Sequence, residues 1–189
     1  MTAPADRPRL SDDALVLRRA NLDGLAPPRP AAPYALRRFR PGDKEPWRAL
    51  LDTCFPDAGW TRQRLHDIFL DTPLWHPERV VLACRDDRPV ACCAAWHEPW
   101  CGPRTGMIHW VAVHPAHLRR GLGAAVVAAA LDSMRPLGYG DAALITQIWR
   151  VPAIRLYQRL GFAPDMQAAD DMPSRWAQTE ANLRAAGVL

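Results

Sequence analysis

Val111-Ala-Val-His-Pro-Ala-His-Leu-Arg-Arg-Gly-Leu-Gly-Ala-Ala125 decides how the rest of the chain is read. An apolar strand runs into a short loop, and a helix opens at two glycines. Gly121 and Gly123 let a ligand approach the backbone with no Cβ in the way. The first amides of a helix have no partner inside it, and the helix dipole is positive at that end. Such an end is an anion site. Arg119 and Arg120 add charge beside it, so a pyrophosphate is the natural guest. The same glycines would also serve tight helix–strand packing. Two other phosphate motifs do not fit. No Gly-x-x-x-x-Gly-Lys run precedes a Ser or Thr, and Val126 stands where a dinucleotide fingerprint needs its third glycine.

Working outward, Met107–Val113 reads as the strand before this loop, and Gly121 to Arg135 as the helix after it, ended by Pro136 and Gly138. Ala142–Gln147 is a further strand, and Pro152–Leu160 a helix stopped by Gly161. Upstream, Tyr34–Arg40 alternates apolar and polar residues and ends at Pro41-Gly42. Asp43 is placed as N-cap of a helix through about Cys54, and Thr61–Leu70 as a second helix. Arg79–Cys84 and Pro89–Trp96 form a hairpin around Arg85-Asp-Asp-Arg88. Ser174–Ala186 is a final helix, with Trp176 and Leu183 one heptad apart. The order β-α-α-β-β-β-α-β-α implies one mixed sheet of the α/β or α+β class.

Composition is that of an ordinary globular domain, 49% hydrophobic and 23% charged. No apolar run reaches the ~20 residues that span a bilayer, and the start has no basic-then-apolar leader, so a cytoplasmic location is the expectation. The net charge of +4 comes from residues 1–40, with eight arginines against four aspartates. The first 33 residues also hold six prolines and read as a solvated arm. Leu15-Val-Leu-Arg-Arg19 could pair there as an edge strand. Cations among prolines are not a nucleic-acid face, which interleaves them with aromatics. Five cysteines without a Cys-x-x-Cys pair read as reduced thiols. His109, His114 and His117 match no zinc spacing, so no metal is expected.

Two segments carry a resemblance. Arg120-Gly-Leu-Gly-Ala-Ala125 resembles motif A of the GCN5-related N-acetyltransferase (GNAT) superfamily, with Val111–Val113 and Pro115 where that family places its fourth strand and exit. Ala153-Ile-Arg-Leu-Tyr-Gln-Arg-Leu-Gly-Phe162 resembles motif B. Both occur in order, and the resemblance extends from Tyr34 over roughly two-thirds of the chain. One departure is Arg150, where many members carry Asn.

The resemblance implies a mostly antiparallel mixed sheet flanked by helices, with the fourth and fifth strands splayed. It implies residues 1–33 as arm, 34–165 as an acyl-CoA-dependent N-acetyltransferase domain and 166–189 as a helical tail. It implies direct transfer from acetyl-CoA to a primary amine of a small molecule or peptide; charge, composition and spacing add the expectation of no nucleic acid, membrane or metal. Val111, Ala112, Val113 and Arg119, Arg120, Gly121, Leu122, Gly123, Ala124, Ala125 would hold the cofactor. Tyr157 would protonate the leaving thiolate, although Ile154, Tyr157 and Leu160 also form a core-facing stripe. For the base, His109 shares a face with Met107, Val111 and Val113 by period-two alternation, and its ordinary pKa of ~6.5 suits the task. A bulge would shift that register. Glu98, His97 and water are further candidates. Trp60, Trp75, Trp96 and Trp100 crowd the acceptor side as core or as an aromatic pocket. A catalytically silent acyl-CoA-binding module is the alternative reading.

Overall fold

The structure, a computed structural model, describes residues 9–24, 26 and 29–187. Part of the proline-rich arm, including Pro27 and Pro28, lies outside the described residues. Among the described residues seven strands form one sheet: β1 (Ala14–Arg19), β2 (Tyr34–Arg38), β3 (Val80–Arg85), β4 (Arg88–Trp96), β5 (Thr105–Val113), β6 (Asp141–Gln147) and β7 (Ala163–Pro164). Five α-helices accompany them: α1 (Lys44–Cys54), α2 (Arg62–Leu65), α3 (Leu122–Met134), α4 (Val151–Arg159) and α5 (Met172–Ala185). A π-helical turn, His66–Leu70, extends α2 to the expected end of the second helix.

The strand order is β2-β3-β4-β5-β6-β1-β7. Every pairing is antiparallel except β5 with β6. That parallel pair needs a crossover, and α3 provides it. The helix suits the task because it is apolar nearly all round, with Leu122, Ala125–Leu131 and Met134 buried. Its alanines allow close approach to β3, β4 and β5. Gly106 completes the fit, since a Cβ there would lie 2.5 Å from Met134 Sδ.

Two hydrophobic clusters result. One gathers α3 with Ile108, Leu144, Ile154, Tyr157 and the β1 residues Leu15, Val16 and Leu17. The other gathers Trp47, Leu50 and Leu51 of α1 with Leu65, Phe69, Trp60, Trp96, Met107 and Ala112.

The edge-strand reading of 15–19 needs correction. Ala14–Arg19 is an interior strand, held between β6 and β7. Ala14, Leu15, Val16 and Leu17 are all at most 2% exposed, as expected of a strand covered on both faces. Full burial of each leucine stabilises the fold by about 1.5–3 kcal/mol. The C-terminal helix docks as well. Arg175 donates to the carbonyls of Ser11 and Ala14, and Asn182 donates to Ile148 O.

Asp43 stands at the start of α1 but makes no side-chain cap. Its buried carboxylate instead accepts two bonds from Arg37, at 2.6 and 2.8 Å, and one from the Arg40 N–H at 2.6 Å. Burial alone would raise its pKa; the Arg37 guanidinium and the Arg40 amide outweigh that and hold it low.

Candidate active site

Pairing between β5 and β6 stops at Ile108–Leu144. Beyond it both strands continue, β5 to Val113 and β6 to Gln147, without pairing. The expected splay between the fourth and fifth strands is therefore present, at β5 and β6 because β1 precedes them. The gap opens into a cleft of about 1860 Å³.

A bulge shapes its wall. Cys92 faces Ala112 but Ala94 faces His109, so β5 carries one extra residue between them. Trp110 takes it up with φ +48, a conformation uncommon for a non-glycine residue. The Trp110 carbonyl accepts from the Cys92 thiol at 3.4 Å. The His114 N–H donates back to Val90 O on the β4 side. By alternation the N–H groups of Val111 and Val113 point away from β4, and that of Val113 faces the Cys54 thiol. Val111 and Val113 line the cleft; Ala112 is buried against the α1 side and does not.

The bulge also corrects the face of His109. Val111 and Val113 pack toward α3, whereas Met107, Trp110 and Ala112 pack toward α1 and α2. His109 lies on the latter side, edge-on to Phe69 and Trp110. Its Nδ1 is buried with no hydrogen-bond partner among the described residues. Burial lowers its pKa to about 4, so the imidazole is neutral near pH 7.

The loop and the start of α3 form the other end of the cleft. Gly121 is the N-cap, in left-handed geometry at φ +74, with no side-chain cap. The first intrahelical bond runs from Ala125 N to Gly121 O at 3.0 Å. The amides of Leu122, Gly123 and Ala124 precede it and have no acceptor within the helix. Arg119 through Ala124 all line the cleft. Ala125 does not; it is 1% exposed and its N–H stays in the helix. Arg119 also adopts positive φ, +57. Among the described residues neither Arg119 nor Arg120 pairs with a carboxylate. Arg120 sits over the Tyr34 ring, whose hydroxyl bonds His117 Nδ1 at 2.9 Å. Gly123 lies between Val113 and Leu156; a Cβ there would sit 3.1 Å from Leu156 Cδ1.

Tyr157 lines the cleft from α4 and is 7% exposed. Burial pushes its phenol above the ordinary tyrosine range, so it stays protonated. Glu98 and His97 do not line the cleft. They follow β4 at its far end, where His97 stacks on Tyr139 and meets Thr105 O. Burial raises the pKa of Glu98. Trp60 and Trp96 are core, and neither they nor Trp75 and Trp100 line the cleft. Burial pushes the Cys54 thiol, the cysteine that does line it, up to about 11, so little is thiolate near neutrality. Among the described residues no group of three His, Cys, Asp or Glu could hold a metal. No described helix is long and apolar enough to cross a membrane.

Sequence reasoning missed the opposite lip. Phe55, Trp110, Trp149 and Arg150 line it. Arg150 drew notice only as a departure from motif B. Its contacts with Phe55 join loops almost a hundred residues apart, which no local pattern reveals.

The sequence is similar to known proteins. Mycothiol acetyltransferase of Acidimicrobium ferrooxidans is 32% identical over 153 residues, 76% of this chain and 48% of that protein. The protein of the same name from Sanguibacter keddieii is 34% identical, over 72% of this chain and 46% of its own. The chain thus spans about half the length of these relatives. The fold is similar to the GCN5-related N-acetyltransferase of Sphaerobacter thermophilus. The TM-score is 0.66 at 23% identity, covering 80% of this chain and 48% of that one. It is also similar to the ribosomal-protein-S18-alanine N-acetyltransferase of Escherichia coli. There the TM-score is 0.55 at 18% identity, over 69% and 77% of the two chains. A model of the acetyltransferase (GNAT) family matches residues 44–162, which include the splay, the α3 start and Tyr157, and the chain belongs to that family.

Proposed function

We propose that this chain transfers an acetyl group from acetyl-CoA to a primary amine of a small molecule, by direct attack in a ternary complex. The observation that carries the reading is one cleft joining the unpaired amides at Leu122–Ala124 to the splayed edge of β5 and to Tyr157. The name of the relatives supports a small-molecule acceptor.

The amides of Gly121–Ala124, with Arg119 and Arg120, hold the pyrophosphate. Val111 and Val113 offer N–H groups on the side away from β4. They bond the pantetheine arm as a neighbouring strand would and polarise the thioester carbonyl. The amine nitrogen attacks the carbonyl carbon, an amide bond forms and the C–S bond breaks. The departing sulfur takes its proton from the Tyr157 hydroxyl, and the proton shed by the amine nitrogen returns to the phenol through solvent. Burial keeps the phenol protonated but also makes it a weaker acid, so its donation relies on placement beside the sulfur.

His109 is suited to contact the incoming amine on the α1 side. With a conjugate acid near 4, it stays neutral and orients the amine by hydrogen bonding, and the proton the amine sheds leaves to solvent. The acceptor therefore reacts as its neutral amine, and the pH limb of kcat/KM belongs to the acceptor. The direct test is acetyl-CoA-dependent thiol release across an amine panel, together with CoA binding. CoA binding with no turnover on any amine would instead favour a silent binding module.

A further inference from the structure

The lip of the cleft opposite the phosphate loop holds an unused cation. The Arg150 guanidinium lies 4.8 Å from the Trp149 ring centre and 5.5 Å from that of Phe55. Its Nε is buried without a hydrogen-bond partner, and Arg150 forms no ion pair among the described residues. Asp13 is near enough to act on it electrostatically but forms no ion pair with it. Asp13 accepts from Ser11 Oγ at 2.7 Å and from Trp149 Nε1 at 2.9 Å, which fixes the indole under the guanidinium. Asp57, on the Phe55 loop, is exposed and makes no ion pair with Arg150. Trp149 itself is 58% exposed, a large aromatic face at the mouth of the site.

Arg150 lies at the Tyr157 end of the cleft, close enough to act on that phenol electrostatically. Gly123 and the α3 start pack on Val113 and Leu156, in the α3 cluster. Phe55, under Arg150, packs edge-on to Trp110 at 5.2 Å, in the α1 cluster. A cosubstrate threading the splay from the α3 side presents its acetyl group toward Phe55, Trp110 and His109. Arg150 then faces what enters from the α1 side. A guanidinium beside two aromatic rings offers the planar fork that matches a carboxylate.

We propose that the acceptor amine carries a carboxylate and that Arg150 binds it, making Arg150 the residue that selects acidic acceptors. This rests on the acetyltransferase reading for the reaction, but its test does not. The probes are 3-(aminomethyl)benzoate and 3-(aminomethyl)benzamide, which share the ring and the aminomethyl group and differ in the acidic group. Calorimetry on the full chain saturated with CoA should find the acid bound about tenfold or more tighter. Arg150→Gln should abolish that preference while leaving CoA affinity within about twofold, and Arg150→Lys should keep only part of it. Equal binding of acid and amide by the wild type overturns the proposal, with no variant needed. So does a loss of CoA affinity in Arg150→Gln with the acid preference intact, which assigns the cation to the cosubstrate. Thiol release on the same pair separates the two readings. Acid preference without acetyl transfer keeps the Arg150 assignment and removes the reaction. Transfer to both probes at equal kcat/KM does the reverse.

Discussion

His109 couples the site to stability in a way that can be measured without any substrate. Its imidazole is buried and its pKa falls from 6.5 to about 4. The unfolded chain therefore binds a proton that the folded chain refuses between those two values, and stability rises with pH across that window. Above pH 6.5 the contribution is fully present; it is lost as the pH falls toward 4. Integrating the two titrations from pH 7 to pH 4.5 gives about 2 kcal/mol of stability lost to this one residue. His109→Gln removes the titration and keeps a polar side chain of similar size. Urea unfolding of both proteins at pH 7 and pH 4.5 isolates the effect, because every other group titrates in both. The wild type should lose about 2 kcal/mol more than the variant on acidification. Identical losses would mean that His109 titrates as a solvated histidine and that its burial has been misjudged.

Three further outcomes are expected. Gly123→Glu puts a Cβ 3.1 Å from Leu156 Cδ1 and 3.6 Å from Val113 Cγ2, crowding the start of α3 and adding a negative charge beside the proposed pyrophosphate site, so CoA affinity measured by calorimetry should fall roughly 100-fold or more, with circular dichroism checking that the fold is retained. Tyr157→Phe keeps the ring and removes the proton donor, so kcat should fall ~10²–10⁴-fold with little change in CoA affinity; wild-type turnover would leave Tyr157 a packing residue. Asp43→Asn breaks a buried bidentate pair with Arg37, whose side chains are 8% and 13% exposed, and should cost about 3 kcal/mol in urea unfolding.

The parts of the site legible in the sequence were those built from local chemistry. The positive φ of Gly121 and the helix start without a side-chain cap both follow from consecutive residues. The place of Tyr157 on a helix was legible through a short helical motif. The face of His109 was not, because alternation assumes a regular strand and the extra residue at Trp110 inverts it. β1 was hidden for another reason. Its apolar run is only four residues long, lies among prolines, and becomes a strand by pairing Ala14 with Gln147 at the far end of the chain. Asp43 had the sequence context of a helix cap, but the Arg37 guanidinium and the Arg40 N–H took its carboxylate. The Phe55–Arg150 lip is likewise long-range, a meeting of the α1–α2 loop with the β6–α4 loop.

The central claim is that the splay between β5 and β6, with the start of α3, holds acetyl-CoA. A crystal structure of the chain with CoA bound tests it most directly. The expected result is pyrophosphate oxygens within hydrogen-bond distance of the Gly121–Ala124 amides, the pantetheine arm along Val111 and Val113, and the sulfur beside the Tyr157 hydroxyl. CoA bound elsewhere, or with its pyrophosphate on Arg150 and the α3 amides facing solvent, would contradict it.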